Sequence, residues 1–136
     1  KAGGTLTVIE GDHGSACFHP ESARARRVVQ CLVDLQRQAG GDALIGRRLY
    51  PLLVEAGVRD VRVSPRMVYV DASRPPLVDG FIRKTFTAMV DAAGAEAIRR
   101  TMIDAESWSQ GIRDLERTAA PDGTFCYTFF KAVGVK

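Results

Sequence analysis

Short runs rich in Thr, Val, Ile, Phe and Tyr recur along the chain, and between them apolar residues fall at helical intervals. The first run, Thr5 to Ile9, follows the turn Ala2-Gly3-Gly4 and leads into Glu10-Gly11-Asp12-His13-Gly14-Ser15. Branched residues bounded by glycine favour a strand. The run reads as a buried strand with a polar loop, Gly14 to His19, at its carboxyl end. A second strand region, Val58 to Val70, alternates at Val61 and Val63 before Ser64-Pro65 interrupts it, and the proline points to a bulge or an edge position. In the third, Thr124 to Val133, Phe125, Tyr127 and Phe129 share one face while Cys126, Thr128 and Phe130 share the other. Both faces read as buried, which places this strand centrally.

Four helical stretches lie between these strands. Proline and acid in Pro20-Glu21-Ser22 suit a first helical turn. Val28, Leu32, Leu35 and Ala39 then follow at steps of four, three and four before Gly40-Gly41. Asp42 is expected to cap a second helix with the stripe Ile45, Leu49, Leu52, Leu53 and Ala56, broken near Leu49-Tyr50 because an interior Pro51 removes a hydrogen bond. Asp71-Ala72-Ser73 before Arg74-Pro75-Pro76 starts a third, with Phe81, Ile82, Phe86, Met89, Val90 and Ala93 inward, and a further segment runs from about Ala95 to Ile103. Asp104 caps the fourth, in which Trp108, Ile112, Leu115 and Ala119 keep the four-three-four step of a core stripe.

Composition narrows the picture a little. The 136 residues, 46% hydrophobic and 26% charged, suit one globular α/β domain over 1–136. No run approaches the roughly 18 apolar residues of a membrane span, and no signal segment precedes the first strand. The net charge of +3 is a weak pull toward anions; the arginines at 24, 26, 27 and 37 lack interleaved aromatic residues, so they read as a solvated face and not as a nucleic-acid surface. Cys17, Cys31 and Cys126 are too scattered for a disulfide framework and read as reduced thiols of a cytoplasmic protein.

Candidate chemistry concentrates after the first strand, because ligands of open α/β sheets bind beyond the carboxyl ends of strands. Glu10, Asp12, His13, Cys17 and His19 fall within ten positions, but without the regular pairs of a zinc site, so no metal is expected. His13 and His19 are the candidate catalytic bases, expected to line a polar cleft, and Glu10, Asp12, Arg47 and Tyr50 are candidate substrate-binding residues. Structural roles compete throughout: a loop-satisfying Asp, a packed His, a solvated Arg face. Tyr127 reads as core with its hydroxyl partnered at the rim.

The glycine turn and strand, followed by Arg48-Leu49-Tyr50-Pro51-Leu52-Leu53-Val54-Glu55-Ala56-Gly57-Val58 and a basic strand, resemble the carboxyl-terminal half of a class I S-adenosylmethionine-dependent methyltransferase. Within that superfamily the ubiquinone/menaquinone-biosynthesis branch is most similar. The resemblance implies a partial Rossmann-like fold with a three-stranded mixed sheet, ordered opening strand, carboxyl-terminal strand, Val58 strand. It implies that residues 74–120 form a helical insertion, part of a substrate lid. It also implies methyl transfer to a small organic acceptor by a longer enzyme, of which this chain is a fragment or a processed product.

Such enzymes hold their cofactor with a glycine-rich loop and a ribose-binding acid, and neither is found here, so this chain alone is expected not to bind S-adenosylmethionine. The competing reading is a non-catalytic α/β interaction module that self-associates. Under either reading Thr5 to Ile9 lacks a flanking strand, and an open apolar edge favours a homodimer built on Thr5, Thr7 and Ile9.

Overall fold

The structure, a computed structural model, describes residues 3–136, so Lys1 and the Ala2 end of the expected turn lie outside the described residues. Strand β1 (Thr5–His19) is followed by helix α1 (Ala23–Gln38), a 3-10 turn (Ile45–Arg48) and helix α2 (Leu49–Glu55). Strand β2 (Arg59–Val70) comes next, then helix α3 (75–91), helix α4 (Gly94–Arg99), helix α5 (Ala105–Arg117) and strand β3 (Thr124–Val135). The sheet order is β1-β3-β2, which is the order expected. The sheet is not mixed, however. The flanking strands run in the same direction, but each is hydrogen-bonded only to β3, and both ladders are antiparallel.

Two expectations about the opening strand need correction. The polar stretch from Glu10 to His19 is strand and not loop, because β3 is long enough to keep pairing with it as far as His19 opposite Thr124. Nor is the first half buried. Thr5, Leu6, Thr7 and Ile9 are exposed, Ile9 at 58%, since β1 is an edge of the sheet and no described element covers it. Pro65 sits in the other edge strand, β2, where a missing N–H costs nothing to the ladder.

Helices pack on one face of β3 and bury it. Phe125 and Tyr127 meet Phe86 of α3 at ring-centroid distances of 4.8 and 5.6 Å, and the same core takes Val28 and Leu32 from α1 and Trp108 and Leu115 from α5. Residues from 75–117 thus supply much of the core. The opposite face, carrying Cys126, Thr128 and Phe130, is only half-buried, a correction to the expectation of two buried faces. The 3-10 turn and α2 reach it, with Gly46 so close to Phe130 and to the Gly11 carbonyl that a Cβ would sit 2.8 Å from each.

The local signals explain most helix ends. Ser22 caps α1 by accepting from the Ala25 N–H at 3.1 Å, and its hydroxyl donates to Asp114 of α5 at 2.6 Å, tying the two helices together. Asp104 caps α5 by accepting from the Ser107 N–H. Asp42 does not cap a helix: its carboxylate turns back to the Leu44 N–H and pairs with Arg48, and the chain forms the 3-10 turn before α2 restarts at Leu49. This restart leaves Pro51 in the first turn of α2, where a missing N–H is harmless. Within α3 the segment Val78–Thr87 is π-helical.

Candidate functional site

The site is built on an interruption in β1. Between Asp12, opposite Thr128, and Cys17, opposite Cys126, β1 advances five positions while β3 advances two. Such a bulge re-aims side chains away from the ladder. It is closed by its own polar groups: the Ser15 hydroxyl donates to the Asp12 carbonyl at 2.7 Å and accepts from the Thr128 N–H at 2.9 Å, and the His13 N–H donates to the Ala43 carbonyl at 3.0 Å.

Asp12 is the anchor. Its side chain is 3% exposed, and its two carboxylate oxygens accept from Arg47 Nε at 2.6 Å and Nη2 at 2.8 Å, with the Gly14 N–H adding a third bond at 3.0 Å. A buried carboxylate needs such pairing to stay charged at tolerable cost. The arrangement also dictates glycine at position 14, where a Cβ would lie 2.8 Å from Arg47 and 2.9 Å from Leu44. Asp12 therefore joins the bulge to the 3-10 turn and has little capacity left for a ligand.

His13 turns the other way, toward the helices. Its Nδ1 lies 2.7 Å from the Tyr127 hydroxyl, and its ring meets Phe86 edge-on at 6.3 Å between centroids. Burial lowers the imidazole below its usual 6.5, against an opposing pull from Asp12, so the ring is neutral near pH 7. Tyr127 is pushed well up, by burial first and then by the charge of Asp12, and stays a phenol. When Nδ1–H donates to Tyr127, Nε2 is left as a free acceptor; when Tyr127 donates, Nε2 carries the proton.

His13, Gly14, Leu44 and Arg47 form one wall of a cleft of about 360 Å³. Its other wall is α1, with Arg26, Val29, Gln30, Val33 and Arg37. Each guanidinium is paired: Arg26 with Glu21, Arg37 with Asp34 at 3.3 Å, and Arg47 with Asp12. The first two pairs are largely exposed and can exchange a carboxylate for a ligand anion at little cost; the third cannot, because Asp12 is buried.

The structure thus brings together His13, Asp12 and Arg47 and leaves the other candidates apart. His19 is exposed, six positions further along β1 and outside the cleft lining. Glu10 is half-buried opposite Phe130, and Tyr50 is 56% exposed on α2; neither lines the cleft. The sequence reading missed the α1 wall. Its signal was the spacing Arg26, Gln30, Val33, Arg37, again four, three and four, on the side of the helix opposite the predicted apolar stripe. Tyr127 is core as expected, and the rim partner of its hydroxyl is His13.

The stretch Gly11 to Gly14 does not fit the cofactor loop of such methyltransferases. A glycine-rich cofactor loop needs open backbone for close approach. Here the space beside Gly11 is filled by Tyr127 and that beside Gly14 by Arg47 and Leu44. No group of His, Cys, Asp and Glu suited to a metal ion occurs among the described residues. No helix among the described residues is long and apolar enough to cross a membrane. In comparison with known proteins, the chain matches no family model and no curated protein.

Proposed function

We propose that this chain is the acceptor-side part of a cytoplasmic S-adenosylmethionine-dependent methyltransferase with a partial Rossmann-like fold, acting on a small organic acceptor. The observation that carries this reading is the strand order β1-β3-β2, with the last strand entering antiparallel between the other two, as the resemblance implies. A fold alone does not choose a function, so the site must supply the rest. Its contribution is a cleft of a size for a small molecule, with a neutral imidazole at one wall and exchangeable arginines at the other.

Methyl transfer from a sulfonium requires mainly alignment of the acceptor atom, and a base only where that atom must lose a proton. In this reading Arg26 and Arg37 hold a polar or anionic end of the acceptor, Tyr127 fixes the His13 ring, and Nε2 of His13 takes the acceptor proton. Asp12 and Arg47 position the bulge. His19 and Tyr50 have no part in it.

The test is labelled methyl transfer to small organic acceptors by the polypeptide as its gene encodes it. Transfer that falls at least tenfold in His13→Gln is the expected result. Absence of both transfer and S-adenosylmethionine binding by that polypeptide overturns the reading. The 136-residue chain by itself is expected to give no heat on calorimetric titration with the cofactor.

A second reading, a non-catalytic module that self-associates, draws on the exposed Leu6 and Ile9 along the uncovered edge of β1. It predicts a homodimer through Thr5, Thr7 and Ile9. Sedimentation of the chain as a stable monomer at high micromolar concentration removes it.

A further inference from the structure

Where β1 resumes its ladder after the bulge, Cys17 is placed directly opposite Cys126 of β3. Cys17 is exposed and Cys126 half-buried, on the sheet face away from the main helical core, and both are free thiols. Directly opposed antiparallel residues hold their Cβ atoms about 4.5–5.5 Å apart, against the roughly 3.5–4.5 Å of a disulfide. Closure therefore needs a movement of about 1 Å. This is the place where the sheet can supply it, since β1 is an edge strand and its ladder is already broken next to Cys17.

We infer that Cys17 and Cys126 form a peroxide-oxidisable dithiol, a modification site separate from the cleft. The two thiols have different environments. Cys17 is open to solvent, whereas Cys126 is half-buried and burial pushes its thiol up. An accessible thiol directly across the ladder from a less accessible one is the arrangement of an attacking and a resolving cysteine.

The chemistry balances with hydrogen peroxide as the oxidant. The Cys17 thiolate attacks one peroxide oxygen, the O–O bond breaks, and hydroxide leaves as water once protonated, giving a sulfenic acid. The Cys126 sulfur then attacks the Cys17 sulfur. An S–S bond forms, the S–O bond breaks, and the hydroxyl leaves as a second water with the Cys126 proton. Two thiols and one peroxide yield one disulfide and two waters, a two-electron oxidation. Cys31, fully buried in the core, takes no part and serves as an internal reference.

The experiment is peroxide titration of the native chain, then alkylation under denaturing conditions and non-reducing proteolysis with mass analysis. The expected result is loss of two of the three thiols, recovery of a Cys17–Cys126 linked peptide, and restoration by dithiothreitol, with Cys31 alkylated throughout. In Cys126→Ser the sulfenic acid on Cys17 should persist and be trapped by dimedone. Over-oxidation of Cys17 to a sulfinic acid in the unmutated chain while Cys126 is still alkylated, or linkage of Cys17 between two chains, overturns the inference.

Discussion

The two halves of β1 share one strand and have opposite characters. From Thr5 to Ile9 the ladder with β3 is unbroken and most side chains are exposed; from Asp12 onward it is interrupted and holds a buried carboxylate, the His13–Tyr127 pair and two facing thiols. The regular half shows most of its residues to solvent because nothing is asked of it but backbone pairing. The irregular half buries Asp12, Ala16 and Phe18, and its bulge draws partners from outside the ladder in Arg47 and Ala43, while Tyr127 of β3 meets His13. In this strand a departure from regularity marks the functional region more surely than apolar content does.

The contrast can be broken from its distal side first. Arg47→Ala strands a buried Asp12, and the expected loss is about 3 kcal/mol or more in urea unfolding. Adding Asp12→Asn should recover part of that loss, because the uncompensated charge is gone. Equal stabilities for the single and double variants would show that Asp12 is not held as a buried charge. Tyr127→Phe removes the hydroxyl on His13 Nδ1 and is expected to cost about 1 kcal/mol.

Protonation gives a gentler probe. The folded state binds the His13 proton less readily than the unfolded chain, so stability is full above about pH 6.5 and declines as pH falls through the lowered folded value. Urea midpoints measured from neutral pH downward should show this decline, and His13→Gln should flatten it above the range where carboxylates titrate. The smallest effect belongs to the proximal half: Ile9→Lys, at an exposed edge position, should change monomer stability by less than about 0.5 kcal/mol. The more informative readout there is sedimentation, where Ile9→Lys and Thr7→Pro are both expected to weaken self-association.

What the sequence made legible follows from locality. Caps, glycine stops and four-three-four stripes act over a single turn, so Asp104 with α5 and the burial of Trp108 and Leu115 agree with expectation, whereas Pro20 and Glu21 stand before α1 and not in its first turn, and Ser22 is its cap. The bulge was hidden, since Gly11 to Ser15 has the composition of a loop and becomes strand only because β3 continues alongside it. The π-helical turn in α3 was hidden as well. Val78, Ile82, Phe86 and Val90 are all buried at strict steps of four, a stripe that drifts around an α-helix by about 40° per step, and the wider turn offsets that drift. The α1 wall of the cleft was readable only by asking what the residues opposite the predicted apolar stripe would face once β1 was placed.

The uncovered half of β1 also sets how this polypeptide behaves in a crowded solution. Thr5-Leu6-Thr7-Val8-Ile9 carries no charge and no proline, and the first gatekeeping charge is Glu10 at its end. Segments of this kind, presented as an open edge, template the stacking of further strands into cross-β aggregates. Shelf life and refolding yield of the chain should therefore depend on concentration and on whatever shields these five residues, more than on the strength of the core behind them.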